Sequence, residues 1–287
     1  MWRMISAALV ALAFTGAAPA APAAHPALWK ITGKHSTVYL FGSIHILSPD
    51  LQWRDARIGR AIDEADSFFF ETALDKAPVQ DLIKAKGSLP AGQSLRAMLP
   101  PESQKDLDDD FTTLGVPEVL FDTRRPWLVT TAMIALKAAP AGTTPAGVDV
   151  SIMADARSRD KPLRYFETME QQIALLVPDD QAAELKAFET FLKAFRHQDG
   201  DLASLTNAWQ RGDDALLTKL VMKDFDKDPA ARKALFDDRN AAWVKTLKDV
   251  LDNETGTALV TVGAGHLLGK TGVPALLRAA GYKVERI

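Results

Sequence analysis

Tyr39-Leu40-Phe41-Gly42-Ser43-Ile44-His45 is an apolar run, rich in aromatic and branched side chains, that stops abruptly at Gly-x-x-His. Near the other end of the chain, Ala258-Leu259-Val260-Thr261-Val262-Gly263-Ala264-Gly265-His266 repeats the construction. Each run reads as a buried strand that delivers one histidine just past a glycine, and the chain has only 5 histidines. Both readings point to a site assembled from the two ends of the sequence.

The flanks of the first run agree. Leu28-Trp29-Lys30-Ile31-Thr32 alternates as a half-buried strand, Gly33 to Ser36 turns with His35 in solvent, and Thr37 to Gly42 makes a hairpin partner. Ser48-Pro49-Asp50 is punctuation before a helix from Arg54 to Ala65, whose Ile58, Ala61, Ile62 and Ala65 share a face. Ser67-Phe68-Phe69-Phe70-Glu71 then reads as a strand apolar on both sides, as in a sheet covered by helices, with a carboxylate at its end. The carboxyl ends of strands border the ligand crevice in open α/β sheets, and His45, Glu71 and His266 all hold such positions.

The middle is mostly helical. Thr72 to Asp122 is broken at Pro90, Pro100-Pro101, Gly115 and Pro117. Trp127 to Ala139 is apolar enough for a buried helix but too short to span a bilayer. A loop from Pro140 to Ala146, a helix from Val148 to Arg159 and a strand from Lys161 to Phe166 follow. Asp179 to Asp252 is helical, with Leu185, Phe188, Phe191, Leu192 and Phe195 on one stripe, and His197 is a solvated residue at that helix's end. A helix entered at Val273-Pro274, a stop at Gly281 and a strand from Tyr282 to Ile287 close the chain. The expected fold is α/β (α+β), a mixed sheet of N- and C-terminal strands with a large helical insertion and a cleft at strand C-terminal ends. Residues 25–287 are expected to form one domain.

Composition narrows the function. A net charge of −3 offers no basic footprint for nucleic acid. With 0 cysteines, disulfides, thiolate metal sites, a cysteine nucleophile and a cysteine-linked lipid anchor are excluded. Residues 1–24 have the positive start, short apolar run and Ala/Pro tail of a secretory signal peptide, so the mature chain is expected to be periplasmic or secreted, with no membrane span. Gly265 to Thr271 imitates a phosphate-binding loop, but Ala264 stands where its first glycine is required.

Two imidazoles and a carboxylate, His45, His266 and Glu71, suit a catalytic divalent metal with an open water position. They equally suit metal-free general-base hydrolysis. Gly42, Gly263 and Gly265 are expected to let the backbone turn sharply and approach a ligand. Asn240 lies inside the apolar stripe of Phe236, Trp243, Leu247 and Val250, so it needs a partner or a task, and Arg239 beside it suits orienting Glu71 or binding a substrate carboxylate or oxyanion. Glu167 closes a strand as Glu71 does. Asp149 and Gln171 are weaker candidates, Asp149 doubling as a helix-start acid. Arg124 and Arg125 read as surface charges.

Leu28-Trp29-Lys30-Ile31, Leu40 to His45, Phe70-Glu71, Gly147-Val148-Asp149, Phe166-Glu167-Thr168 with Gln171, Arg239-Asn240 and Val262 to Leu267 together resemble the TraB/GumN family, whose animal relatives include the Tiki proteins. Phe166 departs from an expected Leu, and Asp149 from a frequent Glu. The resemblance implies a fold akin to erythromycin-esterase-like and haem-binding-protein-like proteins, two α/β halves across a cleft, with the two histidines and the strand-end glutamate forming the site. It implies a metal-dependent hydrolase, peptidase-like, using Mn²⁺ or Co²⁺ in preference to Zn²⁺, on a peptide or small-molecule substrate. Its alternatives are a metal-independent ester hydrolase and a non-catalytic haem- or metal-binding protein.

Overall fold

The computed structural model describes residues 24–45, 51–73, 79–138, 147–177, 180–195, 199–223, 225 and 228–287. The part of the expected signal peptide through residue 23, Ser48 to Asp50, the loop 140–146 and His197 lie outside them.

Six strands form one mixed sheet: β1 (Leu28–Thr32), β2 (Ser36–Ser43), β3 (Ser67–Phe70), β4 (Leu163–Tyr165), β5 (Gly256–Gly263) and β6 (Lys283–Arg286), in the order β4-β3-β5-β2-β1-β6. The expected α/β sheet from both chain ends is present. Strand β5 wedges between β2 and β3 and runs parallel to both, with Ser43 opposite Gly263 and Phe70 opposite Thr261. Strand β4 is parallel to β3, while β1 is antiparallel to β2 and to β6. Four parallel strands therefore end along one edge, and the residues just beyond them are His45, Glu71, Glu167 and His266.

The sheet is apolar on both faces because both are covered. Tyr39, Phe41, Phe68, Phe70 and Leu259 pack against the helices Ala56–Glu64 and Val148–Ser158 and against Ala208, Trp209 and Leu217. Val38, Leu40, Phe69, Val260 and Val262 pack on the opposite face against Trp243, Leu247, Val250 and Leu251 of the helix Asp238–Asn253. Phe68, Phe69 and Phe70 are each 2% exposed or less, so each contributes about 1.5–3 kcal/mol of burial free energy. Two covered faces explain why the strands show no polar alternation.

The helical insertion packs a further core of Leu95, Leu107, Phe111, Val129, Met133, Phe188, Leu192 and Phe195. Two expectations are corrected there. The helix Pro126–Ala138 buries only Pro126, Trp127, Val129 and Met133, and Ile134 on its outer side is 39% exposed. Arg125 is not a surface charge: its Nη2 donates to the buried Glu184 at 2.6 Å, and that carboxylate also accepts the Trp127 N–H. No helix among the described residues is long and apolar enough to cross a membrane.

Candidate active site

The parallel register of β2 and β5 brings the two histidines to one cleft, where Nε2 of His45 and Nε2 of His266 each stand 3.9 Å from Oε1 of Glu71. The cleft encloses about 390 Å³. Glu71 is buried at its floor, with Oε1 accepting the Gly263 N–H at 2.7 Å and Oε2 accepting from Arg239 Nη2 at 2.7 Å and Gln172 Nε2 at 2.9 Å.

His45 is held by a carboxylate. Its Nδ1 lies 3.1 Å from Asp149 Oδ2, while Ser43 donates its hydroxyl to Asp149 Oδ1 at 2.8 Å. Asp149 starts the helix Val148–Ser158, which docks on the end of β2 through Val148 N–H to the Ile44 carbonyl, 3.1 Å. Gly147 permits that approach, since a Cβ there would lie 2.5 Å from the His45 carbonyl oxygen and 2.6 Å from its Cα. The His45 ring is crowded by protein at the cleft mouth, yet 57% of its side chain meets solvent. Desolvation in the cleft opposes its protonation, but the Asp149 hydrogen bond and the charges of Asp149 and Glu71 outweigh it and raise His45 to about 9. Burial likewise opposes ionisation of Asp149, and the His45 and Ser43 hydrogen bonds with the His45 charge hold it below the usual carboxylate range.

His266 is 5% exposed, with Trp243 and Phe236 ring centroids at 4.4 and 5.1 Å from its own. Its Nδ1 lies 2.6 Å from Asn240 Oδ1, and Asn240 Nδ2 donates to the Thr271 carbonyl at 2.9 Å. That pattern makes Nδ1 the protonated nitrogen and leaves the Nε2 lone pair to accept from Arg239 Nη1 at 3.0 Å. Burial, the largest effect, pushes His266 down to about 3, and the Arg239 charge adds to it. His266 is therefore neutral near pH 7. Burial opposes ionisation of Glu71 too, and any charge on His266, with those on His45 and Arg239 and the Gly263 N–H, lowers its pKa. With His266 neutral, His45, Arg239 and that N–H keep Glu71 ionised.

Arg239 is saturated. A guanidinium has five N–H donors, and here Nε and Nη2 hold both oxygens of Glu167 at 2.8 and 2.9 Å, Nη2 holds Glu71, and Nη1 serves His266 and the Leu235 carbonyl. Glu167 also accepts from Trp243 Nε1 at 2.9 Å. Arg239 and Glu167 are thus an internal strut that orients Glu71, one of the roles expected of Arg239, and every guanidinium N–H already has a protein acceptor. Asn240, 1% exposed, braces His266 and does not enter the cleft. Asp149 has both oxygens engaged, so it orients His45 in place of binding substrate. Gln171 belongs to the Thr168 capping box, whereas its neighbour Gln172 holds Glu71. Among the glycines, neither Gly42, Gly263 nor Gly265 has positive φ, so sharp turning is not their task. Gly42 packs beneath Ala264, and Gly265 lets Phe236 close over the cleft, where a Cβ would meet its Cε1 at 2.7 Å.

Pattern reading missed Ser43, Gln172, Trp209 and Phe236. Trp209 donates from Nε1 to the Gly42 carbonyl at 2.8 Å. Phe236 lies in a π-helical turn, Lys233–Asp237, continuous with the helix that carries Arg239. Such turns recur at functional sites, but no residue pattern announced this one.

Among the described residues no three His, Asp or Glu side chains form a group able to hold a metal ion. His45, Glu71 and His266 converge, but the His266 lone pair faces an Arg239 N–H and a guanidinium already supplies the positive charge beside Glu71. As arranged, they do not fit a three-ligand centre.

Fold and site thus define an α/β protein with two strand-end histidines, one of them carboxylate-held, around a buried glutamate–arginine strut. The chain belongs to the TraB/PrgY/gumN family, whose profile matches residues 27–286. It is 27% identical to YbaP of Shigella flexneri over 254 residues, covering 85% of this chain and 88% of that protein. It is also 27% identical to YbaP of Escherichia coli (strain K12) over 249 residues, 84% of this chain and 87% of that protein. No solved structure matches.

Proposed function

We propose that the chain hydrolyses an ester or amide carbonyl, with His45 as general base on water and Asp149 as its orienting carboxylate. The observation that carries the reading is the Asp149–His45 pair, 3.1 Å between Oδ2 and Nδ1, with Nε2 toward the cleft. In its neutral form, which grows as pH rises toward about 9, His45 takes a proton from water as the oxygen bonds to the carbonyl carbon. The tetrahedral adduct then collapses, the bond to the leaving oxygen or nitrogen breaks, and His45 returns the proton to that atom. Products are an acid and an alcohol or amine. Leu175, Leu176, Leu217, Val221, Leu235 and Phe236 line the rest of the cleft, which suits an apolar portion of a peptide or small molecule. The N-terminal sequence favours work in the periplasm or outside the cell.

Assay of a panel of neutral esters and peptide amides with wild type, His45→Ala and Asp149→Asn, with and without chelator, is the test. Turnover that is chelator-insensitive and lost in His45→Ala supports this reading. Equal turnover in all three proteins sinks it.

A second reading rests on the equal 3.9 Å from Glu71 Oε1 to both Nε2 atoms: a Mn²⁺, Co²⁺ or Zn²⁺ ion held by His45, Glu71 and His266. It requires Arg239 to withdraw. Stoichiometric metal in purified wild type, lost in His45→Ala, would establish it.

A further inference from the structure

The walls of the cleft differ in kind from its floor. Gln172, whose Nε2 holds Glu71, lies on the helix Met169–Leu176, so Leu175 and Leu176, three and four residues on, share its face and line the cleft. They remain 36% and 44% exposed, apolar surface that a ligand would cover. Leu205 lies one turn ahead of Trp209, whose bond to the Gly42 carbonyl ties the helix Asp199–Gln210 to the end of β2. Leu217 and Val221, a turn apart on the helix Asp214–Met222, and Phe236 of the π-helical turn extend the wall. On the floor, His45 faces Asp149, and Arg239 faces Glu71 and Glu167. Asp149, Glu71 and Glu167 outnumber Arg239 and protonated His45 by one negative charge, so an anionic ligand meets net repulsion. A peptide fares little better. Extended peptides are recognised by strand pairing of their backbone, but β2 and β5 are already paired on both sides and no residue of the edge strand β4 lines the cleft. Helical walls use their N–H groups internally, so peptide amides laid against them would be left unpaired.

We propose that these walls hold one medium-length alkyl chain, carried by an uncharged ester or amide whose carbonyl lies at His45. The reaction rests on the hydrolytic reading above, and the chain rests on the walls. Water adds to the carbonyl carbon, the bond to the leaving oxygen or nitrogen breaks, and an acid and an alcohol or amine depart. The cleft volume, about 390 Å³, is at the small end of ligand cavities, about 300–1,000 Å³, which limits the ligand to a single such chain. Gln172 links the two parts of the site: one face of its helix fixes Glu71 on the floor and presents Leu175 and Leu176 to the chain.

The test reads kcat/KM on p-nitrophenyl esters from acetyl to dodecanoyl, a matching series of alkyl acetates, the glutaryl hemiester and blocked leucine peptide amides. Expected is a rise of about fourfold per methylene, the worth of one buried CH₂, until the cavity is full. Whichever series rises identifies the side of the ester that carries the chain. The glutaryl hemiester should fall about tenfold or more below the hexanoyl ester, its uncharged counterpart. Leu176→Asp, at an exposed position, should keep the fold and lower the octanoyl-to-acetyl ratio about tenfold, and Val221→Trp should move the optimum to shorter chains. Calorimetric titration with octanamide, which needs no turnover, separates the two possible failures. Octanamide bound by a protein that hydrolyses no ester or amide overturns the hydrolytic reading and leaves the alkyl pocket standing. Hydrolysis with no chain-length rise, or with the peptide amides or glutaryl hemiester preferred, overturns the alkyl pocket and leaves the hydrolytic reading. So does a rise that neither variant alters. Neither binding nor hydrolysis overturns both.

Discussion

His45 follows β2 with its side chain 57% exposed and one carboxylate partner, whereas His266 follows the neighbouring strand β5 at 5%, between Asn240, Arg239, Trp243 and Phe236. Each stands 3.9 Å from the same oxygen of Glu71, yet one is raised to about 9 and the other pushed to about 3. The Gly-x-x-His motif thus specifies where an imidazole arrives, and the neighbours decide what it does. A carboxylate on Nδ1 makes His45 the proton carrier. An amide oxygen on Nδ1 and a guanidinium on Nε2 make His266 a neutral wedge that holds Arg239 against Glu71. Separated pKa values within one site are how a fold assigns different proton roles to like residues.

The largest expected consequence is kinetic. His45→Ala should lower kcat by about 100- to 10,000-fold, the range for losing a general base. If His266→Ala matched it in kcat, the contrast between the two histidines would be gone. Arg239→Ala should be the most destabilising change in the cleft. It strands the buried Glu71 carboxylate and leaves the partly buried Glu167 without its guanidinium, and urea denaturation should register a loss of about 3–5 kcal/mol. A loss below about 1 kcal/mol would place the strut in the class of weak surface pairs. His266→Ala should cost about 1–3 kcal/mol through the unpaired Asn240 oxygen and Arg239 N–H.

The two pKa displacements have opposite signs, so pH separates them. For His45 the folded value, about 9, exceeds the unfolded value, about 6.5. Its stabilisation is complete below about 6.5 and is lost as pH rises through about 9. For His266 the folded value, about 3, lies below the unfolded one. Its contribution is present above about 6.5 and is lost as pH falls toward about 3, because the unfolded chain takes up a proton that the native site refuses. Urea midpoints across this range should decline on both sides of neutrality, and Asp149→Asn should abolish the alkaline decline alone. NMR titration should show His45 returned toward its ordinary value in that variant, and the acid limb of kcat/KM, where the base must lose its proton, should move to lower pH with it. The smallest effect expected is for Gln172→Leu, about 1 kcal/mol for one hydrogen bond to Glu71. A null result there would mean that Arg239 and the Gly263 N–H hold Glu71 unaided.

Much of this arrangement was legible in the residues. Period and composition located β1, β2, β3 and β5 to within a residue or two, because strands buried on both faces are apolar without interruption. Carboxyl-end logic then singled out His45, Glu71, Glu167 and His266. Asn240 was conspicuous as an amide within an apolar helical stripe, and its hydrogen bonds to His266 and Thr271 account for it. The partners were not legible. Asp149 looked like a helix-start acid, and only the docking of Gly147 on the His45 backbone turns its carboxylate to Nδ1. Gln171 drew attention where Gln172 makes the contact, since helix phase decides which of two adjacent amides faces Glu71. Arg239 suggested either a brace for Glu71 or an anion site, and only its contacts show the brace.

The sequence by itself determined that two histidines and a glutamate end buried strands at one edge of an α/β sheet, because hydrophobic period and strand-terminal position are local properties. The charge state of each histidine and the engagement of every Arg239 donor were decided only by the tertiary structure. Protonation and hydrogen-bond capacity depend on atoms within a few ångströms, and those atoms come from segments as far apart in sequence as Ser43, Asp149 and Arg239.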